Sequence, residues 1–117
     1  MISIKNVEIL DDERGEAFFT LTDVTYELNV FQGYKFNGKF DGQIGFLFMN
    51  CLLQNPTDYG TTEIFHSKSD QQILMGQLTE KGLEIGEFIF AADGLYLPGD
   101  IKIGDFIEGT ISRADGV

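Results

Sequence analysis

Fourteen glycines stand singly along this chain, none beside another, and between them lie short runs rich in β-branched and aromatic residues. Glycine weakens the interior of helices and strands alike, so it collects where a chain turns. Short apolar runs between such punctuation predict strands rather than helices. The chain therefore reads as all-β: a small antiparallel β-barrel or two-sheet sandwich of about seven or eight strands, with at most one short helix. Its 117 residues suffice for one domain, 1–117, and show neither an internal repeat nor a composition shift.

Ile2 to Leu10 predicts a first strand. Ile2 and Ile4 share one face while Val7 and Ile9 fall on the other parity, which places a bulge near Asn6. Asp11 to Glu16 is a polar loop, and Ala17 to Phe31 is one long bent strand or two short ones, with Val24, Tyr26, Leu28 and Val30 alternating. Asn37-Gly38 sits between short segments carrying Tyr34, Phe36 and Phe40, and predicts a type I′ hairpin turn. Gln43 to Leu53 is almost continuously apolar. Its glycines and aromatics favour a buried strand, although Ile44, Leu47, Phe48, Cys51 and Leu52 also fit a helix face.

Gln54 to Thr61 is a loop and Thr62 to His66 a short strand. Over Ser69 to Lys81, Ser69 and Gln72 could cap a helix, but Gly76 would then interrupt it. A hairpin is preferred, with strands at Ile73–Leu78 and Leu83–Ala91 around a turn at Thr79–Gly82. Asp93-Gly94 and Pro98-Gly99 mark further turns, the latter of type II. Ile101, Ile103, Ile107 and Ile111 share one parity and predict a half-buried last strand.

The segment from Gly99 to Gly109, GDIKIGDFIEG, resembles strand segments of OB-like and translation-factor barrels. The resemblance covers this stretch alone and implies a barrel in which Gly104 and Gly109 ease the bending of a strand. A nucleic-acid-binding barrel would also need a basic groove with stacking aromatics. The aromatics exist, in Tyr26, Tyr34, Phe36 and Phe40, but Lys35 and Lys39 are the only closely spaced basic pair. Phosphate neutralisation takes several such residues, so no nucleic-acid partner is expected.

The net charge of −11 is spread evenly, with nine acids and four bases in residues 1–58 and ten and four in 59–117. Such a charge keeps a protein soluble and also attracts basic partners. Cys51 is the only cysteine and His66 the only histidine, so neither a disulfide nor a nitrogen- and sulfur-rich metal site is expected, and no cofactor. Ser, His and Asp occur together around His66, but adjacency in sequence is no sign of a triad and no G-x-S-x-G elbow is present. His66 reads as an incidental loop residue. Asp11-Asp12-Glu13 lacks the spacing of a calcium loop, and no phosphate-binding glycine motif occurs.

The N-terminal residues lack the basic-then-apolar layout of a signal peptide, and the longest uncharged run, 42–57, is too short and polar to cross a bilayer. A cytoplasmic location without membrane contact is the expectation. The sequence favours a non-enzymatic protein-binding or regulatory module, in its concrete form an acidic immunity-type neutraliser of a basic partner. Candidate contacts are the clustered acids Asp11, Asp12, Glu13 and Glu16 and the aromatics Tyr26, Tyr34, Phe36 and Phe40. The alternative is a carbohydrate- or small-ligand-binding barrel that uses those aromatics. A hydrolase using two carboxylates is a third reading, with no catalytic residue marked out. A homo-oligomer is compatible with all three.

Overall fold

The computed structural model describes residues 2–33, 35–39, 44–66, 71–91, 95 and 97–116. Among these the chain forms nine strands: β1 (Ser3–Asp11), β2 (Glu16–Thr22), β3 (Glu27–Gln32), β4 (Ile44–Leu53), β5 (Glu63–His66), β6 (Gln72–Thr79), β7 (Gly82–Ile85), β8 (Phe88–Ala91) and β9 (Phe106–Gly116). No helix occurs among the described residues, and so none long and apolar enough to cross a membrane. Five strands close a barrel. β4 pairs with β9, β9 with β6, β6 with β7 and β7 with β8, all antiparallel, and the parallel pair Ile44↔Phe90 joins β8 back to β4.

The remaining strands lie outside the ring. β1, β2 and β3 form an antiparallel meander attached where β3 runs parallel to the end of β9, at Val30↔Ala114 and Phe31↔Asp115. β5 adds to the free side of β6. The meander extends the barrel into a body of 46 × 28 × 25 Å.

Period-two alternation fills the interior. Leu74, Leu78, Leu83, Ile85, Phe88, Phe90, Ile107 and Ile111 are buried within the ring strands, and the same cluster continues into Phe19, Leu21, Leu28 and Val30 of the meander. Each such side chain contributes about 1.5–3 kcal/mol relative to exposure. β6 changes neighbours midway: Gln72–Met75 face β5, and Gln77–Thr79 face β7. Gly76 stands at that change. A Cβ there would strike the carbonyl oxygen of Glu84 and lie 2.6 Å from Ile85 Cγ1, so the ring closes around a missing side chain.

Among the described residues, polar ties from Gln72, Tyr26 and Asp23 hold the meander to the rest. The Gln72 side chain, from β6, accepts from Asn29 N–H (2.9 Å) and donates to Asn29 C=O (2.9 Å), standing in for a strand where β9 no longer reaches. The Tyr26 hydroxyl donates to Thr62 C=O at 2.9 Å. Asp23, in the β2–β3 turn, accepts from the N–H groups of Thr25 and Tyr26 with Oδ1 and from Glu87 N–H with Oδ2.

Burial alone would raise the Asp23 carboxyl, but its backbone donors, Glu87, Tyr26 and Thr25, outweigh that and hold it below the usual range. A carboxyl lowered by folding stabilises the fold above its unfolded pKa, and that contribution is lost as pH falls through the lower folded value. Acid titration of stability should therefore show a loss beginning near pH ~4 and continuing below it. Asp23→Asn should flatten this step while lowering stability at neutral pH by about 1 kcal/mol, read from denaturant melts. An unchanged acid limb would remove Asp23 from the account.

Several sequence expectations are confirmed. The bulge near Asn6 is present as a register shift between Lys5 and Glu8, with Asn6 at φ 54°. Both ambiguous segments resolve as strand, β4 for Gln43–Leu53 and β6 within Ser69–Lys81; Gln43, Ser69 and Asp70 lie outside the described residues.

Other expectations are corrected. Ala17–Phe31 takes the expected alternative of two short strands, but Val24 sits in the turn between them at 93% exposure rather than on a buried face. Leu83–Ala91 is also two strands, because Gly86 at φ 57° turns the chain there. Asn37-Gly38 is not a type I′ turn: only Gly38 has positive φ, and the N–H groups of Lys35 and Phe36 bond to Arg14 and Gly15 instead of across a hairpin. Tyr34 and Phe40–Asp41 lie outside the described residues, as does Asp93-Gly94. Gly99 lacks the positive φ of a type II turn, and the turn bond runs from Ile101 N–H to Pro98 C=O. The last strand begins at Phe106, since a further turn over Lys102–Asp105 leaves Ile103 62% exposed.

Candidate functional site

Two surfaces carry chemistry. The first is the edge of the meander. β1 pairs only with β2 among the described residues, and it exposes Val7 (46%), Ile9 (47%) and Leu10 (41%) just before the acidic loop. That loop is ordered by its own first residue. Asp11 Oδ1 accepts from the N–H groups of Glu13 (3.0 Å) and Arg14 (3.2 Å), and Asp11 C=O accepts from Gly15 N–H (2.9 Å). Lys35 N–H to Arg14 C=O and Phe36 N–H to Gly15 C=O clamp the outer side. Asp12 and Glu13 are exposed, and Glu16, paired with Asp11, is half-buried. Asp11 is thus the loop's organiser, while Asp12, Glu13 and Glu16 are its presented charges.

The expected aromatic cluster is divided. Phe36 stacks on Phe19 at 5.0 Å beside the acidic loop. Tyr26 lies at the opposite end of the β2–β3 hairpin, on Thr62. Tyr34 and Phe40 lie outside the described residues.

The second surface is a groove of about 530 Å³ along the seam where β9 exchanges β6 for β3. β6 pairs with β9 up to Ile111, and β3 takes over at Ala114. Both residues are fully buried although three apart, so the alternation breaks and Ser112 and Arg113 are exposed in succession. Arg113 stacks over the Phe31 ring at 4.6 Å and bonds Asp115 twice, at 2.5 and 3.2 Å. Phe31 in turn meets the exposed ring of Phe18 at 5.3 Å. Asn29, His66 and Gln71 complete the polar wall.

Sequence reasoning missed Phe18, Asn29, Phe31, Gln71 and Arg113. A signal existed for Phe18. In the consecutive apolar run Ala17-Phe18-Phe19 a strand must point one side chain away from the core. His66, read as an incidental loop residue, ends β5 and lines this groove, where its Nδ1 is 3.5 Å from Asn29 Nδ2, too long for a firm hydrogen bond.

Cys51 is closed off from chemistry. It is buried in the barrel, and burial raises its thiol to about 11. At pH 8 its reaction with a thiol reagent should be about two orders of magnitude slower than that of the unfolded chain, and denaturant should restore the difference. Fast labelling of the folded protein would show that the barrel opens. Among the described residues no group of three or more His, Cys, Asp or Glu could hold a metal ion.

No known protein-family model, curated protein or solved structure significantly matches this chain.

Proposed function

We propose that this protein is a non-enzymatic binding or regulatory module, an OB-like barrel that engages a basic protein through β1 and the loop after it. Acting in the cytoplasm without nucleic acid or membrane, it would neutralise its partner in the manner of an immunity protein. The observation that supports this most is the juxtaposition on one edge of exposed Val7, Ile9 and Leu10 with the presented acids Asp12, Glu13 and Glu16. Apolar contact bordered by charge is the usual anatomy of an interface. The loop's internal hydrogen bonds lower the entropy lost on docking. Two register shifts kink β1, which discourages pairing of the edge with another strand and favours docking through side chains.

The partner is obtained by affinity capture from the native cell and tested as a purified protein. Reversing Asp12, Glu13 and Glu16 to Lys, with Asp11 left to hold the loop, should slow association about tenfold and change dissociation less. The melting temperature should stay within a few degrees. Val7→Asp with Ile9→Asp should instead speed dissociation. Unchanged kinetics in both variants would dismiss this surface.

A further inference from the structure

The seam groove borders β1 at Asn6 and β2 at Phe18 but differs in character from the acidic loop that follows β1. We propose that it is a binding site for a neutral saccharide unit, whose CH face packs on Phe18 and whose hydroxyls bond to the neutral side chains around it. This inference does not depend on the basic-partner reading.

Charge is the first argument. The chain carries 19 acids, yet none is among the described residues lining the groove. The one Lys or Arg among those described residues, Arg113, is neutralised by the two hydrogen bonds to Asp115. Among the described lining residues an anionic ligand finds no unpaired cation, and a cationic ligand finds no carboxylate. The groove matches an uncharged ligand.

Polar capacity is the second. Asn6, Gln71 and Ser112 line the groove and take no hydrogen bond from the described residues, and His66 makes only the long contact to Asn29. Amide, hydroxyl and imidazole groups offer donors and acceptors together. A ring of hydroxyls, each able to donate and accept, uses both.

The third is Phe18. It is 46% exposed and is backed by Phe31, whose ring Arg113 braces at 4.6 Å. A fixed aromatic face beside polar groups suits a ligand with one apolar and one hydroxylated side. A nucleotide would also stack, but its phosphates require free cations that the described lining residues do not supply.

The test is an NMR titration of the isotope-labelled full chain. The probes are glucose, galactose, mannose and N-acetylglucosamine, their disaccharides, and a neutral glycopeptide carrying the same units; glucuronate and AMP are the charged comparisons. The expected result is millimolar binding of at least one neutral probe, with shifts centred on the amides of Phe18, Asn29, Gln71 and Arg113. Tighter binding of the glycopeptide than of free sugar would assign the site to glycan on a protein, and the reverse to free saccharide; either supports the proposal. Phe18→Ala should weaken binding about tenfold or more. Gln71→Ala, a change at an exposed residue, should weaken it too while leaving the spectrum folded. No shift at these amides from any neutral probe, shifts that persist in both variants, or stronger binding of AMP or glucuronate would overturn the proposal.

Discussion

Gly76→Ala should lower the unfolding free energy by about 3 kcal/mol, the upper range for overpacking a core. The added Cβ would meet the Glu84 carbonyl, Ile85 Cγ1 at 2.6 Å and Leu83 Cδ1 at 3.0 Å. The first of these is backbone, so no rotamer change can relieve it, and β7 must move off β6. That movement opens the ring at the hairpin that delivers Leu83 and Ile85 to the core. The melting temperature should fall by roughly 10 °C, and Gly76→Val should not fold. Gly99→Ala is the comparison: its Cβ would meet nothing within 4 Å and its φ is not positive, so it should be silent. Equal melting temperatures for wild type and Gly76→Ala would mean that β6 and β7 are not so close.

Gln72→Ala should have the next largest effect, about 2–3 kcal/mol, because it strands two backbone groups of Asn29 at once. Gln72 is 4% exposed, and its amide holds both Asn29 N–H and Asn29 C=O on that side of β3. Loss of the tie should loosen the meander before the barrel. Hydrogen exchange at the Asn29 amide should therefore accelerate more than at Leu83 or Phe90. Gln72→Glu separates the two bonds, since a carboxylate still accepts from N–H but faces the carbonyl with a second acceptor. That variant should be weak at neutral pH and regain stability on acidification, when the buried carboxyl becomes a donor. Uniform acceleration across meander and barrel would show that the two unfold as one unit.

The parts of this fold legible in the sequence are those set by local alternation. The bulge at Asn6 shows as a parity slip between Ile4 and Val7, and β4 as a run too aromatic and glycine-flanked for a helix. Gly86 left a similar trace: Leu83 and Ile85 share one parity and Phe88 and Phe90 the other, as a turn between them requires. Val24 was misleading because the turn at Asp23–Tyr26 happens to preserve the alternation of the strand after it. Asn37-Gly38 carries a strong local hairpin signal that tertiary hydrogen bonds to Arg14 and Gly15 override.

The groove belongs to a different class of feature. It exists because β9 changes partners between Ile111 and Ala114, an event of long-range pairing with no local pattern of its own. Only the three-residue step between two buried positions hints at it. Of the acidic surface, the charge was legible and its division of labour was not. Asp11 looks like its neighbours in sequence, and only the hydrogen bonds to Glu13 and Arg14 separate it from them.

The association rate of the captured partner, measured across a salt series, tests the proposed function most directly. Charges that steer an encounter act over the screening length, which shortens from about 30 Å at 0.01 M to about 8 Å at 0.15 M salt. A basic partner guided by the acids beside β1 should associate at least about tenfold more slowly at the higher salt, with dissociation changing far less. The Asp12, Glu13 and Glu16 reversal should flatten that dependence. An acidic partner, or a wild-type association rate indifferent to salt, would contradict the account.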